Sequence, residues 1–118
     1  MPHAVLVVDD DREIASIITD LLADEGYATA AAFDGQQALE RLDREEIDLL
    51  VSDIRMPRLD GIGLVHRLRE RGWEKPIVLM SAVETAHPGE DGVVFLRKPV
   101  DLDILIDVVQ QLLGPAGS

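Results

Sequence analysis

Ala4-Val5-Leu6-Val7-Val8-Asp9-Asp10-Asp11 is the most telling stretch of the chain. A continuous apolar run rich in Val reads as a strand buried on both faces, since a strand with one wet face would alternate. The acidic triplet ends the run, and the period then changes. Ile14, Ile17, Ile18, Leu21 and Leu22 fall at i, i+3, i+4, i+7 and i+8, the stripe of an amphipathic helix, and Gly26 follows as a stop.

The same alternation continues outward. Tyr27 to Phe33 is a second, Ala-rich strand candidate, and Asp34 can cap a helix carrying Ala38, Leu39 and Leu42. Ile47 to Ser52 reads as a third strand ending at Asp53. The next helix starts near Asp60, turns Ile62, Val65 and Leu68 inward and stops at Gly72. Pro76 to Met80 and Val93 to Leu96 are the fourth and fifth strands. Leu102, Leu105, Ile106, Val109, Leu112 and Leu113 mark the last helix, with Gly114-Pro115 as terminator. Ala82 to Gly92 carries His87-Pro88-Gly89 and no apolar stripe, so it reads as a loop with at most a fragment of helix. Strands alternating with helices predict an α/β fold: a doubly wound parallel sheet, helices on both faces, right-handed crossovers.

With 118 residues the chain predicts one domain over residues 1–113 and a tail or truncated linker over 114–118. A domain of this size buries roughly two thirds of the surface of its unfolded chain. At 47% hydrophobic residues it is not a disordered tail, and its apolar runs are too short to span a bilayer. Zero Cys excludes disulfides, thiolate nucleophiles and Cys-ligated zinc. The balance of 11 Lys+Arg against 23 Asp+Glu, net −12, argues against direct contact with nucleic acid or anionic membrane. No signal-peptide pattern precedes the first strand, which predicts a cytoplasmic location.

In open parallel sheets the site lies beyond the carboxyl ends of the strands. Collected there are Asp9 and Asp10 from strand one, Asp53 from strand three, Ser81 from strand four and Lys98 after strand five. If the strand order is 2-1-3-4-5, all of them face one cleft. Three carboxylates repel one another unless a cation sits among them. An all-oxygen set without His or Cys suits a hard ion, and Mg²⁺ best, since it binds through one or two carboxylates and completes its shell with phosphate oxygens. A carboxylate beside such an ion can attack phosphorus, with Lys98 neutralising charge and Ser81 donating to a phosphoryl oxygen. Taken singly, each residue has an ordinary reading: Asp10 or Asp11 as a helix cap, Asp53 as a turn residue, Lys98 and Ser81 as surface or strand-end groups. Their joint occurrence at four strand ends favours the chemical reading.

Val5-Leu6-Val7-Val8-Asp9-Asp10-Asp11, Asp53-Ile54-Arg55-Met56-Pro57, Asp60-Gly61, Met80-Ser81-Ala82 and Lys98-Pro99, in that order, resemble the receiver domains of bacterial two-component response regulators. The resemblance runs from Ala4 to Leu113. It implies a flavodoxin-like, five-stranded sheet of order 2-1-3-4-5. It further implies that Asp53 is the phosphoacceptor, that Asp10, Asp53 and the Arg55 backbone carbonyl ligate Mg²⁺, and that Asp9 acts through water. Ser81 would contact the phosphoryl group, Lys98 would pair with it, and Phe95 would be the aromatic that turns as Ser81 moves. Phe95 also reads simply as core. A cis Lys98–Pro99 bond is implied as well.

The donor would be a phosphohistidine on a sensor histidine kinase or phosphotransfer protein. The domain would be regulatory rather than an enzyme, catalysing only its own phosphorylation and slow hydrolysis. Monomer and phosphorylation-dependent dimer are both open, and the output partner is unnamed. With no effector after residue 113, direct transcription-factor activity is not expected. Arg55 and Val83, two residues beyond Asp53 and Ser81, stand where the resemblance implies the path of the attacking water. Only 16 residues separate Ser81 from Lys98, so the fourth helix of the resemblance should be shortened or missing.

Two alternatives come from other classes. One is a receiver fold used as a non-phosphorylated binding module. The other is a Mg²⁺-dependent aspartyl phosphatase working through Asp9-Asp10-Asp11, against which Glu13 stands where that signature wants Thr or Val.

Overall fold

A computed structural model describes residues 2–82 and 92–114. Strands and helices alternate as β1 (Ala4–Val8), α1 (Arg12–Asp24), β2 (Ala28–Ala32), α2 (Gly35–Arg44), β3 (Leu49–Asp53), α3 (Gly61–Glu70), β4 (Ile77–Ser81), β5 (Val93–Arg97) and α4 (Leu102–Leu113). The strands form one parallel sheet of order β2-β1-β3-β4-β5, the doubly wound α/β architecture and the order that the resemblance implied.

Side-chain alternation explains why helices cover both faces. Leu6, Val8, Leu50, Ile77 and Leu79 join Leu39, Leu64 and Leu68 in one core beneath α2 and α3. Val5, Val7, Leu49, Val51, Val78 and Met80 join Ile18, Leu22, Leu105 and Val109 in another beneath α1 and α4. Burying each such Leu or Val contributes about 1.5–3 kcal/mol. β3 and β4 are buried throughout, and β5, an edge strand, is only half-buried.

The helices all begin at the carboxyl end of the sheet, and each of the four described is capped by an aspartate. Asp11 accepts from the Glu13 and Ile14 N–H groups, Asp34 from Gln37, Asp60 from Gly63, and Asp101 from Asp103 and Ile104. Each cap contributes about 1 kcal/mol. Asp11, not Asp10, therefore caps α1, which leaves Asp10 exposed at the sheet edge.

Element ends differ slightly from expectation, for local reasons. β4 starts one residue late because Pro76 has no N–H; its carbonyl still accepts from Leu50. β2 loses both aromatic ends. Tyr27 is buried, its hydroxyl donating to the Gly114 carbonyl, and Phe33 turns out to meet the Arg12 guanidinium at 4.0 Å. The shortened or missing fourth helix, with Val83 and His87, falls at residues 83–91, outside the described residues.

Candidate functional site

The register of the sheet brings the expected residues to one rim. Val8 pairs with Ser52 and Asp53 with Met80, so Asp9, Asp53 and Ser81 follow one another across β1, β3 and β4. The Lys98 N–H donates to the Ser81 carbonyl at 2.8 Å, which seats the lysine beside β4, and Lys98–Pro99 is cis. Asp9, Asp10 and Asp53 each offer an oxygen within 4.8 Å of the others. Lys98 Nζ lies 3.2 Å from Asp53 Oδ2 and 3.5 Å from Asp9 Oδ2. Ser81 is buried one residue beyond Asp53's register partner, and Phe95 is half-buried against the α2/α3 core, paired with Leu79.

Accessibility differs sharply among the acids. Asp9 is 1% exposed and Asp53 8%, whereas Asp10 is open to solvent. A cleft of about 530 Å³ opens beside Asp10, lined also by Ile54, Arg55, Met56 and Asp60. Asp9 Oδ1 accepts from the Asp11 N–H at 2.9 Å, while Oδ2 meets only the Lys98 ammonium, at 3.5 Å, and makes no closer hydrogen bond. A buried carboxylate oxygen so placed is costly. Burial, opposed by the Asp11 N–H and Lys98 but reinforced by Asp53, holds the Asp9 carboxyl above its ordinary value of 3.8. Burial works against the charge of Lys98 too, yet Asp53 and Asp9 outweigh it and hold the ammonium above the usual lysine range.

The sign of the Asp9 effect follows directly. Between 3.8 and its raised value the folded chain binds the proton more tightly than the unfolded chain. Stability declines as pH rises through that window, and the cost persists at neutral pH. Asp9→Asn keeps the acceptor for Asp11 and removes the charge. Without divalent cations at neutral pH, its thermal melt is expected above that of the wild type, because a buried charge is removed. A melt below wild type would mean that the Lys98 pair outweighs burial.

Several features of the rim were not read from the sequence. Asp34, read from the sequence as a helix cap, caps α2 and is also buried in an ion pair with Arg58. Gly61 is seated so close to the acceptor strand that a Cβ there would lie 2.6 Å from the Asp53 carbonyl oxygen. The pair spans 24 residues and has no local signal; Gly61 stood within the Asp60-Gly61 match, but nothing in that dipeptide tells of its close seat against Asp53.

Comparison with known proteins bears on the family and the fold. The family model described as response regulator receiver domain matches residues 5–110. The transcriptional regulatory protein DltR of Streptococcus agalactiae is 36% identical over 107 residues, covering 86% of this chain and 48% of DltR. The response regulator MprA of Mycolicibacterium vanbaalenii is 34% identical over 118 residues, 96% of this chain and 51% of MprA. The chain thus spans about half the length of these curated relatives. Among solved structures, the Francisella response regulator 1452 receiver domain superposes with a TM-score of 0.85 at 36% identity, covering 93% of this chain and 95% of that one. The Vibrio cholerae chemotaxis response regulator CheY4 gives 0.88 at 27% identity, covering 96% and 100%. A match over nearly the whole chain, on a sheet of the expected order, places this chain in the response regulator receiver domain family.

Proposed function

We propose that the chain is the phosphoacceptor of a two-component pathway and that Asp53 takes the phosphoryl group. The observation that carries this is the position of Asp53: at the end of the central strand, slightly exposed, 3.2 Å from Lys98 Nζ and grouped with Asp9 and Asp10. The donor is a phosphohistidine of a sensor histidine kinase or phosphotransfer protein. An Asp53 oxygen bonds to phosphorus as the phosphorus–nitrogen bond breaks. The imidazole leaves with that electron pair and takes up a proton, and an acyl phosphate remains. Lys98 pairs with the incoming oxygens, and the Ser81 hydroxyl donates to one of them.

The acids fit a hard divalent ion. They supply oxygen alone, Asp10 faces an open cleft, and Asp9 Oδ2, buried, makes no hydrogen bond beyond the 3.5 Å approach of Lys98 Nζ. Mg²⁺ bound there would neutralise charge on the phosphoryl oxygens. Asp10, Asp53 and the Arg55 carbonyl would hold it, with Asp9 acting through a water molecule.

A doubly negative phosphate beside Lys98 then draws Ser81 inward, and Phe95, on the neighbouring strand, follows. An apolar groove lined by Ile14, Ile17, Ile18, Pro99 and Leu102 flanks Lys98, a surface on which a protein donor can rest while presenting its histidine. Output passes through a protein contact rather than through nucleic acid, given the net charge of −12. DltR is named a transcriptional regulator, and the corresponding output here would belong to a second module or partner. No helix among the described residues is long and apolar enough to cross a membrane, and we assign the domain, residues 1–113, to the cytoplasm. The phosphatase alternative is disfavoured because the Asp11 carboxylate is engaged in capping α1.

Intact-mass spectrometry with a small-molecule phosphodonor tests the reading. One phosphoryl group per chain is expected with Mg²⁺ present and none with a chelator. No gain in mass under either condition would leave the binding-module alternative in its place.

A further inference from the structure

The β3–α3 loop, which lines the cleft through Arg55 and Met56, is held from outside. Arg58 sits in its middle at φ 68, a left-handed conformation that an arginine adopts only at a cost of about 1–2 kcal/mol. The Leu59 N–H donates to the Pro57 carbonyl at 2.7 Å and closes a three-residue turn around it. Arg58 Nε and Nη2 both donate to Asp34 Oδ2, at 2.9 and 2.7 Å. Asp34 Oδ1 meanwhile accepts from the Gln37 N–H at 2.8 Å.

The Asp34 side chain is 2% exposed and that of Arg58 68%, so the pair is anchored on the β2–α2 side and reached from the loop. Burial opposes the Asp34 charge, but the Gln37 N–H and Arg58 outweigh it and hold the carboxyl below the usual range. The two segments also touch at the backbone: a Cβ on Gly35 would lie 2.4 Å from the Leu59 carbonyl oxygen. A strained turn persists only where its surroundings over-determine it, and here they do so three residues from Arg55.

We infer that Asp34 and Arg58 are positioning residues for the cation site: their ion pair fixes the loop so that Arg55 lines the cleft beside Asp10. The inference rests on the proposed Mg²⁺ reading and adds two residues that touch neither metal nor phosphate. Groups that hydrogen-bond a metal ligand change metal affinity about 10–100-fold when removed, and a pair that acts through the loop one step further out is expected at the lower end of that range.

The test is an NMR titration of ¹⁵N-labelled protein with MgCl₂, reading Kd from the Gly61 and Arg55 amide shifts, alongside thermal melts without Mg²⁺. Arg58→Met removes the guanidinium from an exposed position. Asp34→Asn keeps the helix cap through its amide oxygen, because Asn caps as well as Asp, and replaces the oxygen that accepts from Arg58 with an amide NH2, which breaks the ion pair. Both are expected to weaken Mg²⁺ binding about tenfold. Arg58→Lys should recover part of the loss, keeping the charge without the two-pronged grip. Lower melts with Kd within twofold of wild type in both variants would overturn the inference and leave a merely stabilising pair. A wild-type protein with no saturable shift would instead remove the Mg²⁺ reading, and the role of the pair with it.

Discussion

Asp53→Asn is expected to lose all labelling by a small phosphodonor, with the intact mass unchanged after incubation in Mg²⁺. The substitution is nearly isosteric at a site 8% exposed, so packing is preserved while the anionic oxygen is replaced by an amide. An amide oxygen is a far weaker nucleophile toward phosphorus, and Lys98 loses the carboxylate that holds it at 3.2 Å. Removing one of three clustered acids also relieves repulsion, so the variant should fold at least as well as wild type. Loss of labelling with an unaltered melt would thus report chemistry and not unfolding. Labelling that persists at full extent in this variant would refute the assignment of Asp53.

Gly61→Ala is expected to destabilise the fold by about 2–3 kcal/mol, the cost of overpacking a site that cannot yield. The new Cβ would meet the Asp53 carbonyl oxygen at 2.6 Å and the Ile54 Cα at 2.9 Å, both of them backbone. The opposing term, the helix preference of Ala over Gly, is at most about 1 kcal/mol. Relief by moving α3 outward would stretch the bond from the Gly61 N–H to the Ile54 carbonyl, now 2.8 Å, and drag the acceptor strand with it. Gly63→Ala is the control: its Cβ would press mainly on Leu59 Cδ1, the far end of a flexible side chain, and should cost well under 1 kcal/mol. Chemical denaturation of the three proteins checks this, and equal stability of Gly61→Ala and wild type would remove the claim.

The sheet was legible because its signals are local. The run Ala4–Val8 is short, Val-rich and apolar throughout, which favours a doubly buried strand, and the Ile14-to-Leu22 stripe has the period of a helix. The site was legible for a different reason: parallel topology sends every strand's carboxyl end to one rim, so Asp9, Asp10, Asp53, Ser81 and Lys98 could be gathered without coordinates. Strand order came from the family resemblance and not from periodicity, which is silent on which strands are neighbours.

What stayed hidden depends on contacts between distant segments. Nothing near Asp34 indicates Arg58, and nothing near Gly61 indicates that the Asp53 carbonyl lies against it. Which of Asp10 and Asp11 caps α1 turned on backbone direction at one residue. The cap fell to Asp11 and freed Asp10 for the cleft.

The close seat of Gly35 on Leu59 carries a consequence for engineering. The start of α2 and the β3–α3 loop touch backbone to backbone, so a change in the path of one displaces the other. A chimera that imports the segment after β3 from another receiver inherits a mismatched neighbour unless the segment after β2 travels with it. Libraries meant to retune the rim should therefore randomise or graft the two together, and lengthen neither alone.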